Sequence, residues 1–283
     1  MAIDLHALNF LQYVKKKELF AKTITIGRQS LHEVDHFLDN KKYKNNDFCE
    51  KLLENNFGST IVDSIDFSDF EGASIVFDMN KTLEEKFYEK YDTVLDIGSL
   101  EHIFNIPQAL KNVSQLCKTG GQIVHISPAN NMCGHGFFQF SPELFFSYYS
   151  ERNGYCNTEV YLADTTDTKK WFRVFSPNNG NRVNIESDNQ LYIMVYTILK
   201  NKSNFESNIQ QSDYQFNWKN LSSKKEHSIK LTRIKNKFRE FKVLYSFAKF
   251  IYNIYKYLFR KNSNRLNSRN KNISTIIVAS LLK

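Results

Sequence analysis

Residues 91–131 constrain the fold of this chain more than any other part of the sequence. They begin with a short apolar run, residues 93–97, of the kind that forms a buried parallel strand. Pro107 can then open an amphipathic helix, and Gly120-Gly121 can end it before a second apolar run at residues 122–127. Two such strands joined by a helix form a right-handed crossover within one sheet. The sequence therefore predicts an α/β fold with parallel strands.

Polar residues cluster where these two strands are predicted to end. In open α/β sheets the ligand binds at the carboxyl ends of the strands, so side chains at this edge are the first candidates for a binding site. The residues found there are Asp96, Gly98, Glu101, His102, Asn130 and Asn131. We expect them to lie around one cleft.

Two further predicted strands also end in acids. The second strand is followed by Asp66, and the third, at residues 74–77, is followed by Asp78. Because the carboxyl ends of parallel strands meet at the same edge of a sheet, we expect Asp66, Asp78 and Asp96 to converge. If the second strand ends earlier, Asp63 takes the place of Asp66.

The remaining elements are predicted from local patterns. They are helices at residues 4–17, 31–40 and 48–57, strands at 22–26 and 158–162, a hairpin formed by 171–175 and 182–185, and an apolar end at 273–282 that is a final strand or a docking tail.

The sequence YDTVLDIGSLEHI, followed after a helix by CKTGGQIVHISPAN, resembles the second half of class I S-adenosylmethionine-dependent methyltransferases. In that family a strand and an LEHI loop precede a helix, a K-x-GG turn and a strand that ends in P-N. The resemblance implies a Rossmann-like, seven-stranded, mostly parallel sheet with helices on both faces and a last, antiparallel strand at residues 191–199. It also implies S-adenosyl-L-methionine as cofactor, and methyl transfer to a hydroxyl or amine of a small-molecule, glycan or glycolipid acceptor.

The loop after the first predicted strand departs from the family pattern. The family usually has G-x-G-x-G there, whose glycines let backbone N–H groups approach the methionine part of the cofactor. This chain has only Gly27, followed by Arg28 and Gln29. The resemblance implies that Arg28 pairs with the cofactor carboxylate and that Gln29 offers amide donors. The alternative is an ordinary turn with an exposed arginine.

The resemblance also implies roles for the strand-end residues. Asp66 would accept hydrogen bonds from the ribose hydroxyls, and Asp78 would accept one from the adenine amine. Asp96 would face the same nucleoside cleft, while Gly98 and Glu101 would form the wall on the methionine side. Two alternatives stay open, because Asp78 can cap a turn and Glu101 can cap a helix.

The acceptor side is predicted from the loop that follows the fifth strand. His135 lies between two glycines, has no obvious core role and is the candidate general base. The candidate substrate-binding residues are His102, Asn130, Asn131 and Phe137. As alternatives, His135 is a loop residue without chemistry, His102 packs in the core, and Phe137 belongs to a lid or to the core.

The C-terminal part of the chain differs in character from the rest. We predict a methyltransferase domain at residues 1–202, a linker at 203–228 and a basic tail at 229–283, because the last predicted strand of the domain ends at residue 199 and the excess of positive charge lies beyond residue 219. Apolar residues recur at helical spacing over residues 231–259. This helix could pack on the domain or on a second subunit, lie on an anionic membrane surface, or bind nucleic acid. The lack of a base-stacking module argues against nucleic acid.

Composition limits the remaining function classes. We predict neither a signal peptide nor a membrane span, so the expected location is cytoplasmic, with membrane-peripheral contact as an option. The four cysteines are scattered without a C-x-x-C pair, so neither disulfides nor a metal site is predicted. A scaffold protein that kept the fold and lost the catalytic activity would account for a first loop with only one glycine. A nicotinamide dehydrogenase would need G-x-G-x-x-G, which is absent.

Overall fold

The computed structural model describes residues 2–34, 37–38, 42–176, 183–201, 242–255, 258 and 264–283. The strands in these residues are Ala21–Ile26 (β1), Ser59–Asp66 (β2), Ile75–Val76 (β3), Tyr91–Ile97 (β4), Cys117–Asn130 (β5), Tyr155–Asp164 (β6), Lys170–Val174 (β7), Leu191–Leu199 (β8) and Ile273–Ile277 (β9). The α-helices are Leu5–Lys15 (α1), Glu50–Phe57 (α2), Ile106–Leu116 (α3), Pro142–Tyr148 (α4), Lys242–Tyr255 (α5) and Val278–Leu282 (α6).

The strands form one sheet in the order β3-β2-β1-β4-β5-β8-β6-β7-β9. The five strands from β3 to β5 are parallel to one another. Next to them, β8 is antiparallel to both β5 and β6, and β7 is antiparallel to both β6 and β9. Consequently β6 and β9 run in the same direction as the first five strands. The predicted class, a mostly parallel α/β sheet, is confirmed, although the described residues contribute nine strands rather than seven.

The antiparallel part of the sheet confirms one prediction and corrects another. The antiparallel strand predicted at residues 191–199 is β8, which occupies those residues and runs antiparallel between β5 and β6, although it is not the last strand, because β9 follows it. The hairpin predicted for residues 171–175 and 182–185 is not formed by its described residues. Instead β7 pairs with β6 on one side and β9 on the other, and residues 183–185 are not in a strand, while residue 182 lies outside the described part of the chain.

Two of the three locally predicted helices at residues 4–57 are confirmed. Helix α1 begins after its N-cap, Asp4, and α2 ends at Gly58, which adopts the left-handed conformation at φ 77°. The helix predicted for residues 31–40 is wrong for the residues described there. Leu31 forms an isolated β-bridge, and Glu33 has φ 53°, which an α-helix cannot accommodate.

Side-chain alternation divides the core between the two faces of the sheet. Val94 and Ile123 belong to the cluster that includes residues of α3 and α4, whereas Leu95 and Val124 belong to the cluster that includes residues of α1 and α2. All four side chains are fully buried. Since both faces of β4 and β5 are covered, the edge at the strand ends is where a ligand can reach the sheet.

The end of the predicted tail lies on the sheet. Strand β9 pairs with β7, and α6 contacts α1, so residues 273–282 form a final strand followed by a short helix. Residues 273–282 therefore contact the sheet, and the predicted boundary at residue 202 stays a prediction. The predicted linker at residues 203–228 lies outside the described residues.

Helix α5 covers residues 242–255 of the predicted amphipathic helix at residues 231–259. Phe247, Phe250 and Ile251 are exposed on it. Among the described residues, none of the helices combines the length and the apolar character that crossing a membrane requires. The partners suggested for this helix stay predictions.

Candidate functional site

A cleft of about 300 Å³ lies at the carboxyl ends of β1, β2, β3 and β4. The sequence-predicted residues that line it are Gly27, Asp66, Asp78, Gly98 and His102. Its volume is at the lower end of the range for small-molecule sites, about 300–1,000 Å³. The parallel strands thus present their carboxyl ends to one cavity, as the topology rule for open α/β sheets leads us to expect.

Gly27 shapes the turn after β1. Its φ of 73° lies in the left-handed region, and a Cβ at this position would be 2.5 Å from Ser99 Oγ. Ser99 Oγ donates a hydrogen bond to the Ile26 carbonyl at 2.6 Å. The buried Gln29 donates from Nε2 to the same carbonyl at 2.8 Å and to Ser99 Oγ at 3.3 Å. Gln29 therefore joins the turns after β1 and β4, and it does not line the cleft.

Arg28 also makes its contacts within the protein. Its Nε donates to Glu50 Oε1 at 2.7 Å, and the guanidinium lies 3.9 Å from the centre of the Phe48 ring. Its Nη1 donates to the carbonyls of Glu71 and Gly72. These contacts attach the loop after β2 to the start of α2. Arg28 is outside the lining of the cleft, and its predicted pairing with a ligand carboxylate stays a prediction.

Asp66 and Asp78 reach the cleft from neighbouring strand ends. Asp66 Oδ2 accepts a hydrogen bond from a backbone N–H of the β1 turn at 3.4 Å. Asp78 Oδ1 accepts from the backbone and side-chain nitrogens of Asn80 at 3.0 and 2.9 Å, and these bonds lower the pKa of Asp78. Asp78 therefore caps a turn and also lines the cleft. Asp63 lies elsewhere, where it accepts from the Tyr91 hydroxyl at 2.9 Å.

Asp96 differs from the other two strand-end acids, because its side chain is fully buried and outside the lining of the cleft. Its Oδ1 accepts from the backbone N–H groups of Ser99 and Leu100 at 3.0 and 3.2 Å. These bonds hold the start of a short 3-10 turn that carries Glu101 and His102. The predicted convergence on the cleft thus includes Asp66 and Asp78, whereas Asp96 supports the turn beside it.

His125 on β5 completes this support, and the sequence analysis did not single it out. Its Nδ1 lies 2.9 Å from Asp96 Oδ2, and its Nε2 lies 2.5 Å from the Tyr149 hydroxyl. All three side chains are buried. The residues next to His125 in the sequence do not indicate its role, because its partners come from β4 and from the end of α4.

Glu101, His102 and His135 meet beside the cleft. Glu101 Oε1 lies 3.6 Å from His135 Nε2 and 4.0 Å from His102 Nε2. The Glu101 side chain is fully buried, whereas His102 and His135 are 52% and 38% exposed. The candidate general base and a candidate substrate-binding residue therefore share one buried carboxylate.

The Glu101 carboxylate lacks a hydrogen-bond donor among the described residues. Within the described part of the chain neither of its oxygens accepts a hydrogen bond, so the alternative that it caps a helix is not realised. Burial, and next the charge of Asp96, raises the pKa of Glu101 to about 8. Burial also lowers the pKa of both His102 and His135. Neutral imidazoles are therefore favoured on either side of Glu101.

The other predicted substrate-binding residues lie outside the lining of the cleft. Asn130 and Asn131 donate from Nδ2 to the Ser187 carbonyl at 3.1 and 3.2 Å, so they attach a loop to the end of β5. The Phe137 ring is 66% exposed and packs edge-on against Phe104, with 5.7 Å between the ring centres. Its position on the surface fits the alternative that it belongs to a lid.

Several lining residues were not predicted from the sequence. They lie within two residues of a predicted acid or glycine, and they are Phe67, Phe77, Met79, Asn80 and Ser99. Adjacency to the strand-end acids was the signal that could have found them.

Comparisons with known proteins found solved structures at low sequence identity. A Bacillus halodurans protein assigned as a methyltransferase is 9% identical, with 70% of this chain and 99% of that chain covered and a TM-score of 0.42. A S-adenosylmethionine-dependent methyltransferase of Thermotoga maritima is 14% identical, with 69% and 92% covered and a TM-score of 0.38. The branched-chain polyamine synthase of Thermus thermophilus, solved with N4-aminopropylspermidine and 5'-methylthioadenosine, is 12% identical, with 74% and 58% covered and a TM-score of 0.38. No family model and no curated protein sequence matches the chain.

Proposed function

We propose that this chain is a class I S-adenosylmethionine-dependent methyltransferase that binds its cofactor in the cleft at the ends of β1, β2, β3 and β4. The proposal depends on one observation above all. Asp66 and Asp78, which come from different strand ends, face a single cavity together with the glycine turns at Gly27 and Gly98.

The lining suits the adenosine part of this cofactor. Asp66 offers carboxylate oxygens to a ribose diol. Asp78 is ionised at neutral pH, because hydrogen bonds from Asn80 lower its pKa, and it can accept from an exocyclic amine. Phe77 and Met79 lie beside it and supply apolar surface for a planar base. A mostly apolar wall with a few placed acceptors is typical of small-molecule sites.

The arrangement of the sheet favours this function over a nicotinamide dehydrogenase. In the dinucleotide-binding fold, six parallel strands have the order 3-2-1-4-5-6, and a G-x-G-x-x-G turn holds the pyrophosphate. Here the neighbour of β5 is the antiparallel β8, and the first turn contains only Gly27.

When bound, S-adenosylmethionine supplies a sulfonium-activated methyl group that an acceptor oxygen or nitrogen can take, with release of S-adenosylhomocysteine and a proton. The chain contributes chiefly by aligning the reactants, which can lower the barrier by about 7–11 kcal/mol. We place the acceptor near His102, which lines the cleft, and His135, whose imidazole could take a proton from a hydroxyl. A hydroxyl or amine of a small molecule, glycan or glycolipid is the proposed acceptor.

Calorimetric titration with S-adenosylmethionine and with S-adenosylhomocysteine tests the proposal. We expect the Asp66→Asn variant to bind both ligands about 10- to 150-fold more weakly, since a hydrogen bond to a charged group contributes about 1.5–3 kcal/mol. Asp69→Asn is the matched control, because it makes the same change on an exposed side chain outside the lining. Its affinities should equal those of the unaltered chain.

Absence of binding to either ligand would overturn the proposal and favour a scaffold protein that kept the fold. Equal weakening in the Asp66→Asn and Asp69→Asn variants would mean that the ligand binds somewhere other than this cleft.

A further inference from the structure

Three buried polar atoms without partners lie together at the edge of the cleft. Within the described residues, both oxygens of Glu101 and Nε2 of His135 are inaccessible to solvent and make no hydrogen bond. An unsatisfied buried polar atom costs about 1–3 kcal/mol, and native proteins keep few of them. Three at one place indicate a shared partner outside the described residues.

The nitrogens and oxygens at this place form a ligand set. Glu101, His102 and His135 each offer one atom, and these atoms all lie within 4.8 Å of one another. We propose that they bind a divalent transition-metal cation. Two imidazoles and one carboxylate are the protein ligands of catalytic zinc sites and of other first-row metal sites with open positions. Magnesium and calcium prefer an all-oxygen set, so they fit these residues less well.

The two imidazole nitrogens would have to move only slightly towards the Glu101 oxygen to bind a cation together with it. Metal–ligand bonds of about 2.0–2.2 Å place the ligands of a tetrahedral site about 3.4 Å apart. The Glu101 oxygen is 3.6 and 4.0 Å from the two imidazole nitrogens. The carboxylate is fixed by burial, whereas both imidazoles are partly exposed and can turn towards it. A cation would also offset the cost of burying the carboxylate.

The backbone holds His135 next to Glu101. The Phe137 N–H donates to the Glu101 carbonyl at 2.7 Å, which attaches the His135 loop to the turn after β4. Gly136 lies so close that a Cβ there would be 2.8 Å from the same carbonyl oxygen. The glycine beside His135 is therefore required by the approach of the two segments.

The cation would have a role in the reaction, and this part of the inference rests on the proposed function. His102 both lines the cleft and belongs to the ligand set, so a bound cation would lie beside the cleft. A hydroxyl oxygen bound to a divalent cation becomes more acidic, and its proton would pass to solvent. His135 would then serve as a ligand rather than as the general base, and an oxygen acceptor would be favoured over an amine.

Metal titration of the untagged, chelator-treated chain tests the site without any methyl transfer. We expect one Zn²⁺ or Mn²⁺ per chain by calorimetry, and a Co²⁺ visible absorption spectrum typical of nitrogen and oxygen ligands. His135→Ala and Glu101→Gln should each weaken binding at least as much as the loss of an outer-shell partner does, about 10- to 100-fold. His32→Ala, which removes an exposed imidazole outside the ligand set, is the matched control.

Unchanged metal affinity in both His135→Ala and His102→Ala, with unaltered circular dichroism, would overturn the site, as would absence of binding in the parent chain. The two proposals fail separately. Metal binding without S-adenosylmethionine binding would retain the site and remove the proposed function. S-adenosylmethionine binding without metal binding would do the reverse.

Discussion

Two glutamates in different halves of the sheet have opposite surroundings. Glu159 on β6, in the antiparallel half, accepts from the Tyr13 hydroxyl at 2.7 Å and pairs with Lys17 at 3.1 Å. Burial alone would raise the pKa of Glu159, but the bonds from Tyr13 and Lys17 lower it. Glu101, beside the end of β4 in the parallel half, accepts no hydrogen bond from the described residues, and burial raises its pKa to about 8.

We interpret this difference as one between a structural and a functional glutamate. In the antiparallel half, Glu159 is satisfied by the chain itself, near a core that includes Phe10, Tyr161 and Trp171. In the parallel half, strand ends converge and leave Asp66, Asp78 and Glu101 next to one cleft. Buried polar groups that lack a hydrogen-bond partner within the protein are expected where a bound ligand supplies that partner.

The largest effect on stability is expected at Glu159. Glu159→Gln weakens bonds from Tyr13, Lys17 and Arg173, and should lower the free energy of unfolding by about 1.5 kcal/mol. We take the low end of the free energy that a hydrogen bond to a charged group contributes, because Lys17 and Arg173 are partly exposed and solvent screens their charges. Glu101→Gln makes the same change without losing a hydrogen bond. In metal-free protein it should therefore lower the free energy of unfolding by much less than Glu159→Gln does. Urea unfolding at neutral pH measures both, and equal losses would contradict the comparison.

A smaller difference in stability is expected between Gly27→Ala and its control, Gly120→Ala. Both positions have positive φ, 73° and 88°, so both variants carry the strain of a left-handed alanine. Only at Gly27 does the new Cβ meet a neighbour, Ser99 Oγ, which must then give up its bond to Ile26. Urea unfolding should show about 1 kcal/mol more destabilisation for Gly27→Ala. Titration should show weakened S-adenosylmethionine binding in that variant alone; similar behaviour of the two variants would mean that the turn after β1 has no special role.

The smallest effect on stability is expected at Arg28, which we group with the polar residues whose hydrogen bonds are made within the protein. Arg28→Ala should cost about 1 kcal/mol or less, because its ion pair with Glu50 is partly exposed. S-adenosylmethionine affinity should fall by less than about tenfold, the change that corresponds to 1.4 kcal/mol. A larger loss that Arg28→Lys largely restores would instead support the predicted direct pairing with the cofactor carboxylate.

Local patterns in the sequence predicted most of the elements that form the site. Strands β1, β2 and β4, helix α3 and strand β8 were predicted close to their observed bounds, since each depends on its own apolar periodicity. The same patterns placed Asp66 and Asp78 at strand ends. The predicted helix at residues 31–40 failed for its described residues, because pairing with a distant segment replaced helical bonding at Leu31.

Strand ends are encoded by nearby residues, so acids and glycines after successive strands of one parallel sheet were predictable without coordinates. Which of those groups meet the cleft depends on long-range packing. Asp96 points inward because His125 comes from the neighbouring strand, and Arg28 points away because Glu50 lies at the start of α2. The meeting of Glu101 with His135 is likewise decided by long-range packing, through a backbone bond between two loops that are far apart in the chain.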